Sequence, residues 1–156
     1  AWQLCYVDIF DGVLDFEYQS IICKAAKSKQ HIIGNQQLES SVEEHFSRYT
    51  DHSDYQLWLL LDNHDFNRFL YVCGGDVELL KEAITFSRSQ KYPCLLYYGT
   101  EKGMTHKGDR YSGDSYSDEQ VRECMKWNKQ SIFKTISQWK KNEKNSTSRR
   151  SARYWK

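Results

Sequence analysis

Leu57-Trp58-Leu59-Leu60-Leu61 is an unbroken run of five large apolar side chains. A strand with one wet face alternates apolar and polar residues. A continuous run therefore reads as a strand covered on both faces, as in parallel sheets flanked by other layers. Two further runs share this character. Ile9-Phe10-Asp11-Gly12-Val13-Leu14-Asp15-Phe16 precedes it. Cys94-Leu95-Leu96-Tyr97-Tyr98 comes after it, introduced by Pro93, the single proline, and closed by Gly99.

Helical patterns lie between these runs. Tyr18 to Lys27 carries Ile21, Ile22, Ala25 and Ala26 on one side. Ser40-Ser41-Val42-Glu43 reads as a capping box that opens a helix, in which Ser and Glu satisfy each other's free backbone donors. Leu38, Val42 and Phe46 recur there at four-residue spacing. Asp76 suits the N-cap of a helix burying Leu79, Leu80, Ala83 and Ile84, and Ile132, Phe133, Ile136 and Trp139 make a last apolar stripe. Trp58 and Trp139 both read as core. Strands alternating with helices indicate βαβ units and a parallel sheet. Three such strands leave both sheet edges open, and a closed eight-stranded barrel needs about 250 residues. The pattern therefore reads as part of a larger α/β sheet. The chain begins with Ala rather than Met and shows no targeting pattern, so either something was removed upstream or the chain is a piece of a longer one.

Composition narrows the partners. Twenty-two Lys and Arg against 21 Asp and Glu leave a net charge of +1, so nucleic acid is not an expected partner. A content of 39% hydrophobic and 15% aromatic residues argues against whole-chain disorder. No apolar run approaches the roughly 18–20 residues of a membrane helix, so no membrane partner is expected. Cys5, Cys23, Cys73, Cys94 and Cys124 are widely spaced without a C-x-x-C pair, which speaks against a zinc site or a disulfide framework. Cys5 and Cys94 lie in strand-like segments, and reduced thiols favour a cytoplasmic setting. Residues 1–141 read as the folded part and 142–156 as a basic tail expected to be disordered. From Lys140 onward, Lys140, Lys141, Lys144, Arg149, Arg150, Arg153 and Lys156 face Glu143 alone.

Each apolar run ends in a polar cluster on its C-terminal side. These are Asp15 with Glu17, then Asp62-Asn63-His64-Asp65, then Thr100-Glu101. Ligands of parallel α/β folds bind where the carboxyl ends of strands converge. The middle cluster is the densest. Its bland reading is a strand-to-helix turn in which Asp and Asn bond local backbone and Asp65 caps the helix after it. Adjacent strand residues point to opposite faces, so the four cannot all ligate one metal. The segment from Gly103 to Asp118 is rich in Gly, Ser and Asp, has no period, and reads as a long loop.

Leu61-Asp62-Asn63-His64-Asp65-Phe66-Asn67-Arg68-Phe69-Leu70 resembles the seventh-strand motif of the α-amylase family, glycoside hydrolase family 13. Pro93 to Met104 is similar to that family's eighth-strand segment, and Phe10 to Phe16 to its sixth strand. Val121-Arg122-Glu123-Cys124-Met125-Lys126-Trp127 resembles the Arg-x-Pro-Met-x-Trp segment before the last barrel helix, with Cys124 in place of the usual Pro. The elements keep the family's order over roughly residues 8 to 141.

The resemblance implies a partial (β/α)8 TIM barrel, an α/β fold covering approximately strands 6 to 8 with their helices. It implies an α-glucan, α-glucoside or oligosaccharide substrate cleaved with retention. Asp65 matches the family's third carboxylate, which stabilises the transition state. His64 matches its sugar-binding histidine, and Arg68 stands at a motif position assigned to substrate binding. Glu101 reads as a loop-anchoring acid. Retaining cleavage also needs a nucleophile and an acid/base about 5–5.5 Å apart, which the family carries on its fourth and fifth strands. The chain alone is therefore expected to be inactive, with the N-terminal part of the barrel as its partner. No cofactor and no metal are expected. The competing expectation is a non-catalytic carbohydrate-binding or assembly module derived from such a barrel. A flavodoxin-like domain ranks lower because no strand leads into a Gly-rich phosphate loop.

Overall fold

The three apolar runs become three strands, the first and third shorter than their runs and the second shifted one residue toward the N-terminus. The computed structural model describes residues 2–113 and 117–133. A 3-10 turn at Trp2–Tyr6 leads to β1 (Gly12–Asp15), α1 (Phe16–Lys27), α2 (Gln36–Ser47), β2 (Gln56–Leu60), α3 (Phe69–Val72), α4 (Val77–Arg88) and β3 (Cys94–Leu95). A second 3-10 turn at Thr100–Lys102 and α5 (Ser117–Val121) complete the order.

The sheet is parallel throughout, in the order β1-β2-β3. Strands added in chain order through right-handed crossovers place their helices on one side of the sheet, whereas a doubly wound sheet reverses direction to cover both. Leu57 and Leu59 of β2 are fully buried in a core with Tyr18, Ile22, Val42, Phe46, Leu80 and Ile84. On the opposite face Leu14 lies across from Trp58, and Leu60 across from Leu95. Leu60 is buried there, but the rest of that face is open: Leu14, Trp58 and Leu95 keep 38%, 40% and 40% of their surface exposed. Trp58 is therefore not a core residue within this chain, although its apolar run reads as one. Trp139 and Ile136 lie outside the described residues, as does the basic tail, whereas Phe133 is buried.

Helix starts obey side-chain caps rather than the apolar pattern alone. Asp76 caps α4 as expected, accepting from the Glu78 and Leu79 amides at 2.9 and 3.1 Å. The Ser40–Glu43 box does not open α2. The helix begins at Gln36, where the Asn35 side chain accepts from the Leu38 amide at 3.0 Å and leaves Ser40 and Glu43 in the helix interior. Cys5 sits exposed in the first 3-10 turn rather than in a strand. All five cysteines are free, and burial pushes the thiols of Cys23, Cys73 and Cys94 up to about 12. Among the described residues no helix is long and apolar enough to cross a membrane.

Candidate active site

The carboxyl ends of β1, β2 and β3 meet along one edge of the sheet, and a buried carboxylate ties two of them together. Asp62, two residues beyond β2, is 2% exposed. Its Oδ2 accepts from the Phe69 amide at 2.8 Å, and both its oxygens accept from Thr100 Oγ1, at 2.9 and 3.0 Å. One side chain thus satisfies a free amide at the start of α3 and anchors the segment after β3. The cap of this helix is Asp62, seven residues back, and not Asp65. Burial pushes the Asp62 carboxyl up to about 6, against the downward pull of its hydrogen bonds and of the Arg68 charge.

At the end of β1 the acid faces inward. Asp15 is fully buried; Oδ1 caps α1 through the Tyr18 amide at 3.0 Å and Oδ2 pairs with His45 Nε2 at 2.7 Å. His45, also fully buried, stands 3.6 Å from Glu17 through Nδ1. Partial burial raises Glu17, but the 2.5 Å hydrogen bond from Arg48, with the His45 and Arg48 charges, leaves its carboxyl below the usual range. Asp15 and Glu17 therefore serve the packing of α1 on α2.

The acid that faces solvent is Asp65. The chain turns sharply after Asp62: Asn63 Oδ1 accepts from the Asp65 amide at 2.7 Å, an Asx turn of the kind expected of this residue. His64 and Asp65 then project outward, with side chains 57% and 56% exposed and Nε2 3.3 Å from Oδ2. Two arginines converge on the same carboxylate. Arg122 Nη2 lies 3.4 Å and Arg110 Nη2 3.8 Å from Asp65 Oδ1. Arg110 Nε also donates to the Asp65 carbonyl at 2.6 Å, and Arg122 Nε to the His64 carbonyl at 3.3 Å. Asp118 pairs with both arginines.

Arg68 occupies a different environment. It is fully buried, with its guanidinium carbon 4.2 Å from the centre of the Tyr97 ring and 4.7 Å from that of Tyr98. Its Nη1 donates to the Tyr98 carbonyl at 2.5 Å. Arg68 therefore supports the β3 segment from within instead of standing beside His64 and Asp65. Glu101 Oε2 accepts from the Gly99 amide at 2.8 Å, the loop-anchoring position its motif suggested. Among the described residues no group of three or more His, Cys, Asp or Glu could hold a metal ion.

The arginines around Asp65 are the residues that sequence reasoning missed. Arg110 lies in the aperiodic segment after Gly103, and nothing in its spacing distinguishes it from neighbouring Lys107. Arg122 stands in a family-like motif, Val121 to Trp127, that carried no role for it.

A family model described as alpha amylase, catalytic domain, matches residues 5–153. Neopullulanase 2 of Thermoactinomyces vulgaris is 32% identical over 98 residues, covering 62% of this chain and 16% of that protein. A cyclomaltodextrinase of Thermoanaerobacter pseudethanolicus is 26% identical over 129 residues, covering 83% of this chain and 21% of that protein. Among solved structures, the alpha-amylase from H.orenii superposes with a TM-score of 0.61 at 19% identity, over 92% of this chain and 33% of its own. The cyclic alpha-maltosyl-(1-->6)-maltose hydrolase from Arthrobacter globiformis, solved with maltose, superposes with a TM-score of 0.58 at 20% identity, over 88% and 28%. These likenesses show a shared fold, with this chain spanning a minor part of each relative.

Proposed function

The chain belongs to the alpha-amylase catalytic-domain family, and on that premise we propose that it supplies strands 6 to 8 of a (β/α)8 glycosidase barrel acting on α-glucans or α-glucosides. In this reading β1, β2 and β3 are those three strands. The open face bearing Leu14, Trp58 and Leu95 is then the barrel interior, which side chains of the other strands fill.

One observation carries the reading: His64 and Asp65 stand exposed side by side at the carboxyl end of the middle strand. Asp65 is the carboxylate that stabilises the developing positive charge of an oxocarbenium-like sugar, and His64 hydrogen-bonds the same ring. A fixed carboxylate at a site that excludes water stabilises such a charge far better than solvent does. The nucleophile and the proton donor of retaining cleavage come from earlier strands of the domain, so residues 1–141 do not turn over substrate alone. Arg68 serves substrate binding from beneath, by holding Tyr97 and Tyr98 in place.

The test is Asp65→Asn in a catalytic domain carrying this segment, assayed on maltooligosaccharides. The expected result is a fall in kcat of about 10²–10³, the scale of losing one preorganised electrostatic group, with the melting temperature unchanged. His64→Ala removes one hydrogen bond and costs about tenfold or less. A near-normal kcat for Asp65→Asn refutes the assignment. Sugar-dependent stabilisation without any turnover in the complete domain would instead favour a binding module.

A further inference from the structure

Five hydrogen-bonding contacts join the segment from His106 to Tyr111 to the turn that presents Asp65. Asn67 is the hub. Its Oδ1 accepts from the Arg110 amide at 2.8 Å and lies 2.8 Å from His106 Nε2, while its Nδ2 donates to Asp109 Oδ1 at 2.9 Å. Because Asn67 Oδ1 only accepts, His106 presents Nε2–H to it. The buried His106 ring stacks on Tyr71 at 4.3 Å. From this base Arg110 reaches the Asp65 carbonyl through Nε at 2.6 Å, and the Tyr111 hydroxyl donates to the same carbonyl at 3.2 Å.

We infer that Arg110 is a positioning residue for Asp65, and that the His106–Tyr111 segment exists at this edge to hold that carboxylate in one orientation. The inference rests on the reading of Asp65 as the sugar-facing acid. Arg110 donates to the Asp65 main-chain carbonyl through Nε and sets its Nη2 charge 3.8 Å from the carboxylate, whose Oδ1 Arg122 Nη2 approaches at 3.4 Å, and its third nitrogen pairs with Asp118. A planar guanidinium with donors in fixed directions can hold three acceptors at once, which a single ammonium cannot. Its side chain is only 15% exposed, whereas that of Arg122 is 44% exposed. Arg110 is thus the better-fixed of the two cations. Fixing the carbonyl sets the backbone from which the carboxylate projects, and the Arg110 charge beside Oδ1 favours one orientation of it. A misplacement of about 1 Å at a catalytic group costs on the order of 10²-fold in rate.

Two readouts on the complete 156-residue chain test this. The first is amide hydrogen exchange of Asp65 and Phe66, whose amides bond Asn63 within the turn. The expected result is exchange at least tenfold faster in Arg110→Ala, with the melting temperature within about 2 °C of the parent. Arg110→Lys, which keeps the charge, recovers less than half of that protection. Unchanged exchange at both amides overturns the inference, and so does full recovery by lysine. A general loss of protection across α1 and α4 also overturns it, since that marks a merely structural residue. The second readout is maltotriose affinity in a double-mutant cycle with Asp65→Ala. Loss of affinity in Arg110→Ala that vanishes in the Asp65→Ala background supports positioning through Asp65, and additive losses overturn it. If exchange responds to Arg110 while maltotriose affinity ignores Asp65, the positioning stands and the glucan reading of the site fails.

Discussion

Asp62 is the residue whose replacement tests the architecture of this edge most sharply. Its carboxyl titrates at about 6 in the folded chain against an ordinary value of 3.8. The folded state therefore holds the proton more tightly than the unfolded state does. Below the unfolded value both states are protonated, and the group contributes no penalty. As pH rises from about 4 to about 6 the unfolded chain releases its proton first, and folding stability falls with each step. By about pH 7 both states are ionised and the loss is complete, at about 3 kcal/mol for the whole gap. Asp62→Asn is nearly isosteric, and its amide oxygen still accepts from the Phe69 amide and Thr100 Oγ1. Urea unfolding of the parent and the variant at pH 4, 5, 6 and 7 gives two stability curves. The parent curve minus the variant curve is expected to fall by about 2 kcal/mol across that range, because the unfolded carboxyl is already half ionised near pH 4, whatever the offset between them. Other acids cancel in the subtraction, including Glu17, whose lowered value acts with the opposite sign. A flat or rising difference would refute the claim that burial, rather than its hydrogen bonds, dominates at Asp62.

Three further perturbations probe the packing. Gly12→Ala places a Cβ 2.2 Å from the Gln56 carbonyl oxygen, a backbone atom that cannot swing aside, so β1 must part from β2. A loss of about 1–3 kcal/mol in urea unfolding is expected. His45→Ala strips the fully buried Asp15 of its 2.7 Å partner. Equilibrium unfolding is expected to show a cost of about 3–5 kcal/mol, more than the net worth of the pair, because an unpaired charge stays buried. Leu59→Ala, at a fully buried position in the middle strand, should cost about 2–5 kcal/mol by the same assay, depending on how far α1 and α4 close the cavity.

The amino-acid order alone was enough for the α/β class, for the helix face of α4, for its Asp76 cap and for the motif that brings His64 and Asp65 to a strand end. These are local matters: an apolar run, a four-residue spacing, a short side chain before a helix. Boundaries were less legible where two local signals competed. The Ser40–Glu43 box proposes a start for α2, yet the helix begins earlier, where Asn35 caps it and leads into Leu38, which the core buries.

Tertiary structure alone decided how the polar residues divide. Asp15, Asp62 and Asp65 each stand at or beyond the end of an apolar strand and look alike in sequence, yet two are buried and one faces water. The difference arises from distant partners: His45 lies 30 residues from Asp15, Thr100 lies 38 from Asp62, and Arg110 lies 45 from Asp65. Burying a charge is tolerable only where such partners arrive, and no spacing rule spans those separations. The place of Arg68 is likewise a tertiary outcome, since its motif position implies substrate binding while Tyr97 and Tyr98 enclose it. Short-range order sets which residues reach the strand ends. The cost of desolvating each one, and the partner available to offset it, sets which of them can meet a substrate.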